Sequence, residues 1–208
     1  MFRGYHLFVI ANHFNSKGGD DPLFGHIQPP VRSSEAQRHQ QAQIEHDFIN
    51  AIVAADPTAD VVVMGDINDF EFSDTVTILK GTILHDLMDT LPANERYSYV
   101  FEGNSQTLDH ILFSNNLFDT RPRFYDVVHV NSEFADQASD HEPQVARITF
   151  IPQPCDADGD QDVDLSDLRL IAAANGQTAQ PGDPRDGNGD GRINVADVRY
   201  CQLRQTPR

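Results

Sequence analysis

Apolar residues along the first 150 positions come in short runs, and each run ends in a polar cluster. Tyr5–Phe14 is mostly apolar and predicts a strand. Ser33 and Ser34, with Glu35 and Gln37, supply helix-start chemistry, and Ile44, Phe48, Ile49, Ile52 and Val53 mark the expected buried stripe. Asp60–Asp66 is a continuous apolar run that ends in Gly65 and Asp66. It predicts a strand buried on both faces that delivers an Asp at its C-terminal end. Ser73 is placed to cap a short helix. Tyr97–Phe101, Leu108–Phe113, Tyr125–Val130 and Val145–Phe150 complete the predicted strands. This alternation predicts an α+β layered sandwich over residues 1–150.

The pattern changes at 151–154, where Pro152 and Pro154 predict a linker. Residues 155–208 then contain a repeat at an offset of 30 positions. Asp156, Asp158, Asp160, Asp164 and Asp167 align with Asp186, Asn188, Asp190, Asn194 and Asp197. These are positions 1, 3, 5, 9 and 12 of two twelve-residue loops. Asp162 and Arg192 stand at position 7, and Val163 and Ile193 provide an apolar anchor at position 8. Gly191 fills the sharp turn at position 6 in the second loop, where the first has Gln161. A helical pattern follows each loop: Leu168, Leu170 and Ile171, then Val198, Tyr200 and Leu203. Hard oxygen donors at this spacing suit Ca²⁺, which takes six to eight of them.

Charge sharpens the division. The 208 residues carry 32 acidic and 15 basic side chains, a formal net charge of -17. The last 58 hold 10 Asp, no Glu and 6 Arg. Two bound Ca²⁺ would cancel their charge of -4. Non-specific nucleic-acid binding needs Lys and Arg, so this balance argues against it, but not against a nuclease whose acids hold metal. No apolar run approaches the roughly 20 residues needed to cross a bilayer. Residues 1–10 do not form a signal peptide, and the strand that begins at once is expected to follow a missing N-terminal portion.

The polar clusters carry the candidate chemistry. They are Asn12-His13, Gly65–Phe70, Leu108–Ile111 and Ser139–Pro143. Each alone reads as a turn or a structural His; their joint occurrence in this order at strand ends changes the odds. With Tyr97–Gly103, they resemble the endonuclease/exonuclease/phosphatase superfamily, and the bacterial extracellular nucleases within it, over residues 5–150. The resemblance implies phosphodiester hydrolysis with Mg²⁺ or Mn²⁺. It makes His141 the general base, Asp109 its orienting carboxylate and Asp140 a metal ligand. It places Asp66 at the water or near the metal, has Asn68 donate to a phosphoryl oxygen, and sets His13 against phosphate. Arg38 is expected to be a solvated helix residue rather than a phosphate contact.

The family fold pairs two similar halves in a four-layered DNase-like sandwich, and this chain matches its C-terminal part. The resemblance therefore implies an N-terminally truncated nuclease domain that lacks a metal-binding Glu. The substrate would be nucleic acid, DNA or RNA; a phosphatase or lipid phosphodiesterase of the same superfamily is the alternative, as is an inactive calcium-binding remnant. The tail resembles the dockerin family over residues 155–201, which implies a small all-α module with two structural Ca²⁺. That implies in turn a cohesin-like or cell-surface partner and an extracellular or cell-surface location. A disulfide between Cys155 and Cys201 fits such a module, and so do two separate thiols.

Overall fold

The computed structural model describes residues 6–121, 123–150, 153–160 and 162–206. Tyr5, Ile151, Pro152 and Gln161, which enter the expectations above, lie outside the described residues. The chain divides into two compact units, one over Phe8–Thr149 and one built around Phe150–Arg208.

In the first unit a four-stranded sheet runs in the order β1-β2-β6-β3, with β1 at Leu7–His13, β2 at Asp60–Asp66, β3 at Leu84–Asp86 and β6 at Asp109–Ser114. β6 pairs antiparallel with both β2 and β3. Two hairpin sheets accompany it: β4 (Tyr99–Phe101) with β5 (Asn104–Gln106), and β7 (Arg123–Val127) with β8 (Gln144–Ile148). Helices α1 (Glu35–Ala55) and α2 (Asp74–Lys80) cover one face of the main sheet. Ala42 and Ile49 of α1, with Val76 and Leu79 of α2, pack there against Val61, Val63, Leu84 and Leu112. A short α3 (Asn115–Thr120) follows β6. Each predicted strand of this unit overlaps an observed one, with ends shifted by a few residues, and β3 and β5 are additions that the sequence pattern did not predict.

Helix α1 departs from expectation in two ways. Its buried positions are Arg38, Ala42, Glu45 and Ile49, while Ile44 and Phe48 are exposed. The stripe keeps helical spacing but is rotated, because two of its members are charged groups with partners in the interior. Ser34 does not cap the helix with its side chain. Its hydroxyl donates to Asp20 instead, at 2.5 Å. Ser73 does cap α2, accepting from the Val76 amide.

The second unit holds α4 (Leu165–Ala173) and α5 (Val195–Gln202), each entered through a capping box. Asp164 and Asn194 accept from the amides of Ser166 and Ala196. Asp167 and Asp197 reach back to the amides of Asp164 and Asn194. That reciprocal pair satisfies helix-start donors that would otherwise be orphaned. The core is Val163, Leu168, Ile171, Ala174 and Ile193 around a disulfide joining Cys155 to Cys201. Leu170 and Leu203 of the helical pattern face solvent. Gly187 lies where any Cβ would fall 2.5 Å from the Cys201 sulfur and 2.9 Å from that of Cys155, so the disulfide itself excludes a side chain there.

Position 8 of each loop pairs with the segment that follows the other repeat's helix. The Val163 amide donates to Thr206 Oγ1, and the Thr206 amide returns a bond to the Val163 carbonyl. Ile193 exchanges the equivalent bonds with Gly176 and Gln177. Thr206 and Gly176 are themselves 30 positions apart, so the sequence repeat is also a structural one.

Candidate active site

The register of the central strands brings the first two carboxylates together. Asp66 and Asp109 are directly opposed at the ends of β2 and β6. Gly65, just before Asp66, has φ +132°, and a Cβ there would collide with the Asn12 carbonyl of β1. Only glycine permits that close approach. Past the strand end, Asn68 adopts φ +55° and folds back on Asp66. Its backbone amide donates to Asp66 Oδ1 at 2.8 Å, and its side-chain amide donates to Asp66 Oδ2 at 2.9 Å and the Phe14 carbonyl at 3.0 Å. Asn tolerates this left-handed turn because its short polar chain bonds locally.

His141 arrives from a distant loop, placed by an isolated antiparallel bridge to Tyr99 of β4 and by its carbonyl accepting from the Asn131 side-chain amide. Its Nδ1 donates to Asp109 Oδ2 at 2.7 Å. That fixes the tautomer and leaves the Nε2 lone pair free to accept a proton. The neighbouring histidine has a different fate. His110 is wholly buried, with Nδ1 donating to Asp86 at 2.6 Å and Nε2 donating to the Asp69 carbonyl at 2.9 Å. Both partners are acceptors, so this ring carries both protons and serves as a structural cation.

Two residues that the sequence did not single out hold the site together. Ser98 is fully buried, and its hydroxyl accepts from the amides of Leu108 and Asp109 at 3.1 and 3.0 Å. Its carbonyl accepts from the Glu142 amide at 2.7 Å. The Glu142 carboxylate in turn accepts from the amides of Val130, Asn131 and Ser132 and from the Ser132 hydroxyl. Ser98 and Glu142 thus fix the strand bearing Asp109 and the loop bearing His141. Both sit inside the quoted motifs, so their positions were visible, but nothing in the sequence told an anchor from a reacting group.

The electrostatics follow from this packing. Burial pushes the Asp66 carboxyl above the usual carboxylate range, and the charge of Asp109 adds to the effect against the Asn68 bond. For His141 the bond to Asp109 dominates and raises it above the ordinary imidazole range, against some desolvation. Burial alone would raise Glu142, but the bonds from Ser132 and the three amides bring it below the ordinary value.

Asp66, Asp109 and His141 offer ligand atoms all within 4.8 Å of one another. Two carboxylates crowded this way, one reluctant to ionise, form a donor set that a divalent cation would relieve. Asp140, expected as the metal ligand, is exposed and lines the adjoining cleft outside that trio. His13 is 76 % exposed at the side chain and lies 3.6 Å from Asp66. Asn68 has both side-chain amide hydrogens committed within the protein, so here it holds Asp66 rather than presenting a donor to phosphate.

Arg38 overturns its expectation. It has no exposed surface and binds Asp69 at 3.1 Å and Asp20 at 3.3 Å. Asp69 also accepts from Lys17 at 2.6 Å and from Thr75 at 2.6 Å. The cluster joins the segment 16–20, helix α1 and the loop after Asp66. A basic residue among polar neighbours on a helix looks solvated in sequence; its partners lie 18 and 31 positions away.

In the second unit, Asp156, Asp158 and Asp167 form one group of closely set carboxylates, and Asp160, Asp162 and Asp167 another. Asp167 and Asp197 are buried, and each accepts loop amides as well as closing its capping box. In the second loop Asp186 accepts from the amides of Asp190 and Gly191, while Asn188 and Asp190 accept from Asp190 and Arg192. No helix among the described residues is long and apolar enough to cross a membrane.

Comparison with known proteins gives this arrangement a context. The Endonuclease/Exonuclease/phosphatase family profile matches residues 1–144. No curated protein matches the chain. Among solved structures, truncated TDP2 of Caenorhabditis elegans superposes with a TM-score of 0.50 at 17% identity, covering 71% of this chain and 56% of its own. A mannosyl-6-phosphatase of Bacteroides thetaiotaomicron gives 0.41 at 18% identity, covering 57% of this chain and 48% of its own. Sphingomyelinase C of Streptomyces griseocarneus gives 0.41 at 21%, covering 66% of this chain and 51% of its own. The chain spans about half the length of the solved structures it matches. The profile covers well over half of the sequence and contains every residue of the Asp66, Asp109 and His141 cluster, so the chain belongs to the endonuclease/exonuclease/phosphatase family.

Proposed function

We propose that the Phe8–Thr149 unit carries the phosphodiester-hydrolysing half of an extracellular endonuclease acting on DNA or RNA. The observation that carries the reading is the His141 Nδ1 to Asp109 bond of 2.7 Å beside the Asp66 carboxylate. In it, His141 Nε2 takes the proton from an attacking water, and Asp109 stabilises the imidazolium that results. Asp66 orients that water, and Asn68 holds Asp66. Asp140, with Asp66 of the cluster near the ion, would hold Mg²⁺ or Mn²⁺, which would supply charge neutralisation on the phosphoryl oxygens. His13, exposed at the rim, is available to phosphate.

The test is cleavage of plasmid and single-stranded DNA and RNA with Mg²⁺, Mn²⁺ or Ca²⁺. Substituting His141→Ala should lower turnover roughly 10²–10⁴-fold without changing the melting temperature, the range expected for loss of a general base. Equal cleavage by both proteins would overturn the reading. Activity on phosphate monoesters or phospholipids alone would move it to another branch of the family.

For the second unit the proposal is a dockerin-like module with two structural Ca²⁺, held by the loops at 156–167 and 186–197, and a cohesin-like or cell-surface partner. Support comes from the thirty-residue structural repeat and the crowded carboxylates of the first loop. Where a loop needs metal to neutralise it, binding energy becomes folding energy. Chelation should therefore lower the melting temperature of this unit, read by circular dichroism; a transition indifferent to chelator would count against the calcium assignment.

A further inference from the structure

We propose that the cleft beside His141 binds a short phosphodiester through one unpaired planar base, gripped by aromatic stacking, rather than a long polyanionic strand. The inference rests on the phosphodiester-hydrolysing part of the reading above and departs from its polymeric substrate, replacing a long DNA or RNA strand with a short one.

The cleft has a volume of about 930 Å³ and is walled by Tyr99 and His141 together with exposed phenyl rings. Tyr99 lies 5.0 Å from the His141 ring, and Phe101 lies 6.3 Å beyond it with the two rings within 13° of parallel. They sit two residues apart on β4, so both project to one side. The hairpin that carries them turns through Glu102 and Gly103, both at positive φ, the tight primed turn that keeps β4 and β5 paired to their ends. A second strip follows the Asp66–Asn68 turn, where Phe70 and Phe72 stack at 5.3 Å and 17°. Phe72 is 66 % exposed. Phe24, 86 % exposed, stands on a loop pinned at its neck by two bonds between Asp21 and Val31. Flat rings left bare around a reactive imidazole offer faces that any nucleobase can cover.

Charge argues against a long strand. Phosphate backbones are held by neutralising Lys and Arg. The three cations of the cleft are already engaged: Lys17 by Asp69, Arg32 by Glu35, and Arg96 by the Leu91 and Asp89 carbonyls. Five carboxylates share the lining, among them Glu71, Glu102 and Asp140. Such a wall tolerates one phosphate at the reacting centre and repels a row of them. Affinity must then come from ring faces.

The experiment uses the full chain and a mononucleotide of 2-aminopurine, whose fluorescence is quenched by stacking. Saturable quenching is expected, nearly unchanged between 50 and 200 mM salt. Phe72→Ala and Phe101→Ala should each weaken it by about 5- to 150-fold, the span of base–aromatic stacking. The KM for a dinucleotide should rise by a similar factor. Binding without turnover in the unsubstituted protein would sink the hydrolytic reading and leave the stacking site standing. Absence of quenching, indifference to both ring substitutions, or tighter and steeply salt-dependent binding of plasmid would overturn the inference. So would Phe24-dependent binding to phosphatidylcholine vesicles in place of the nucleotide.

Discussion

The two units assemble their acidic groups over different ranges of sequence. In Phe8–Thr149, Asp66 meets Asp109 across a strand pair, and His141 reaches both through Tyr99 and Ser98. Asp20 and Asp69 meet on Arg38, which comes from a helix between them. In Phe150–Arg208, Asp167 finds its donors within its own dozen residues, in the amides of Ala157, Asp158 and Asp164. Long-range assembly gives a site whose geometry depends on buried polar pairs. Local assembly gives loops that close on themselves, backed by one covalent clasp and a small core.

That contrast can be broken from either side. The largest stability effect is expected from Arg38→Leu, which strands Asp20 and Asp69 without their shared cation. Leaving buried charge unpaired costs on the order of 3–5 kcal/mol, read as a lowered denaturant midpoint for the first unit. If the midpoint holds, the apolar core alone carries that unit and the contrast fails. Next is Cys201→Ser. The clasp spans 46 positions, and its loss should destabilise the second unit by about 2–4 kcal/mol through a less restricted unfolded chain. Hydrolysis at His141 should be unaffected, and a parallel loss of activity would show that the units are not independent.

The smallest effect is graded with pH. Burial raises the Asp69 and Asp20 carboxyls, but bonds from Lys17 and Thr75 to the first and Ser34 and Arg38 to the second leave both below the usual range. A depressed folded value stabilises above the ordinary carboxylate pKa and is lost as pH falls through the folded one. Melting of the first unit should therefore drop on acidification below about pH 4. Arg38→Leu should flatten that acid limb, and a limb of equal slope in the variant would assign the acid sensitivity to other groups.

Sequence alone showed the strands of the first unit well, because apolar runs ending in polar clusters are a local signal. It also located the trio of Asp66, Asp109 and His141, through a family resemblance that the profile match now supports at the level of the family. The roles around that trio were not legible. Asn68 looked like a donor to phosphate, yet its hydrogens are spent on Asp66 and Phe14. Ile44 and Phe48 looked like core and are exposed, since the helix turns Arg38 and Glu45 inward to partners no periodicity could reveal. In the tail the thirty-residue repeat located both acidic loops and the helices after them, while the helical pattern did not tell that Leu170 and Leu203 face solvent.

The clasp between Cys155 and Cys201 also decides how the second unit would carry a load. Tension entering the module near residue 153 and leaving near 206 passes from one cysteine to the other through covalent bonds. The residues between them, both acidic loops included, form a side ring that the force bypasses. Pulled between those two points, the module would lengthen only by the few residues outside the ring, and its loops would keep their shape.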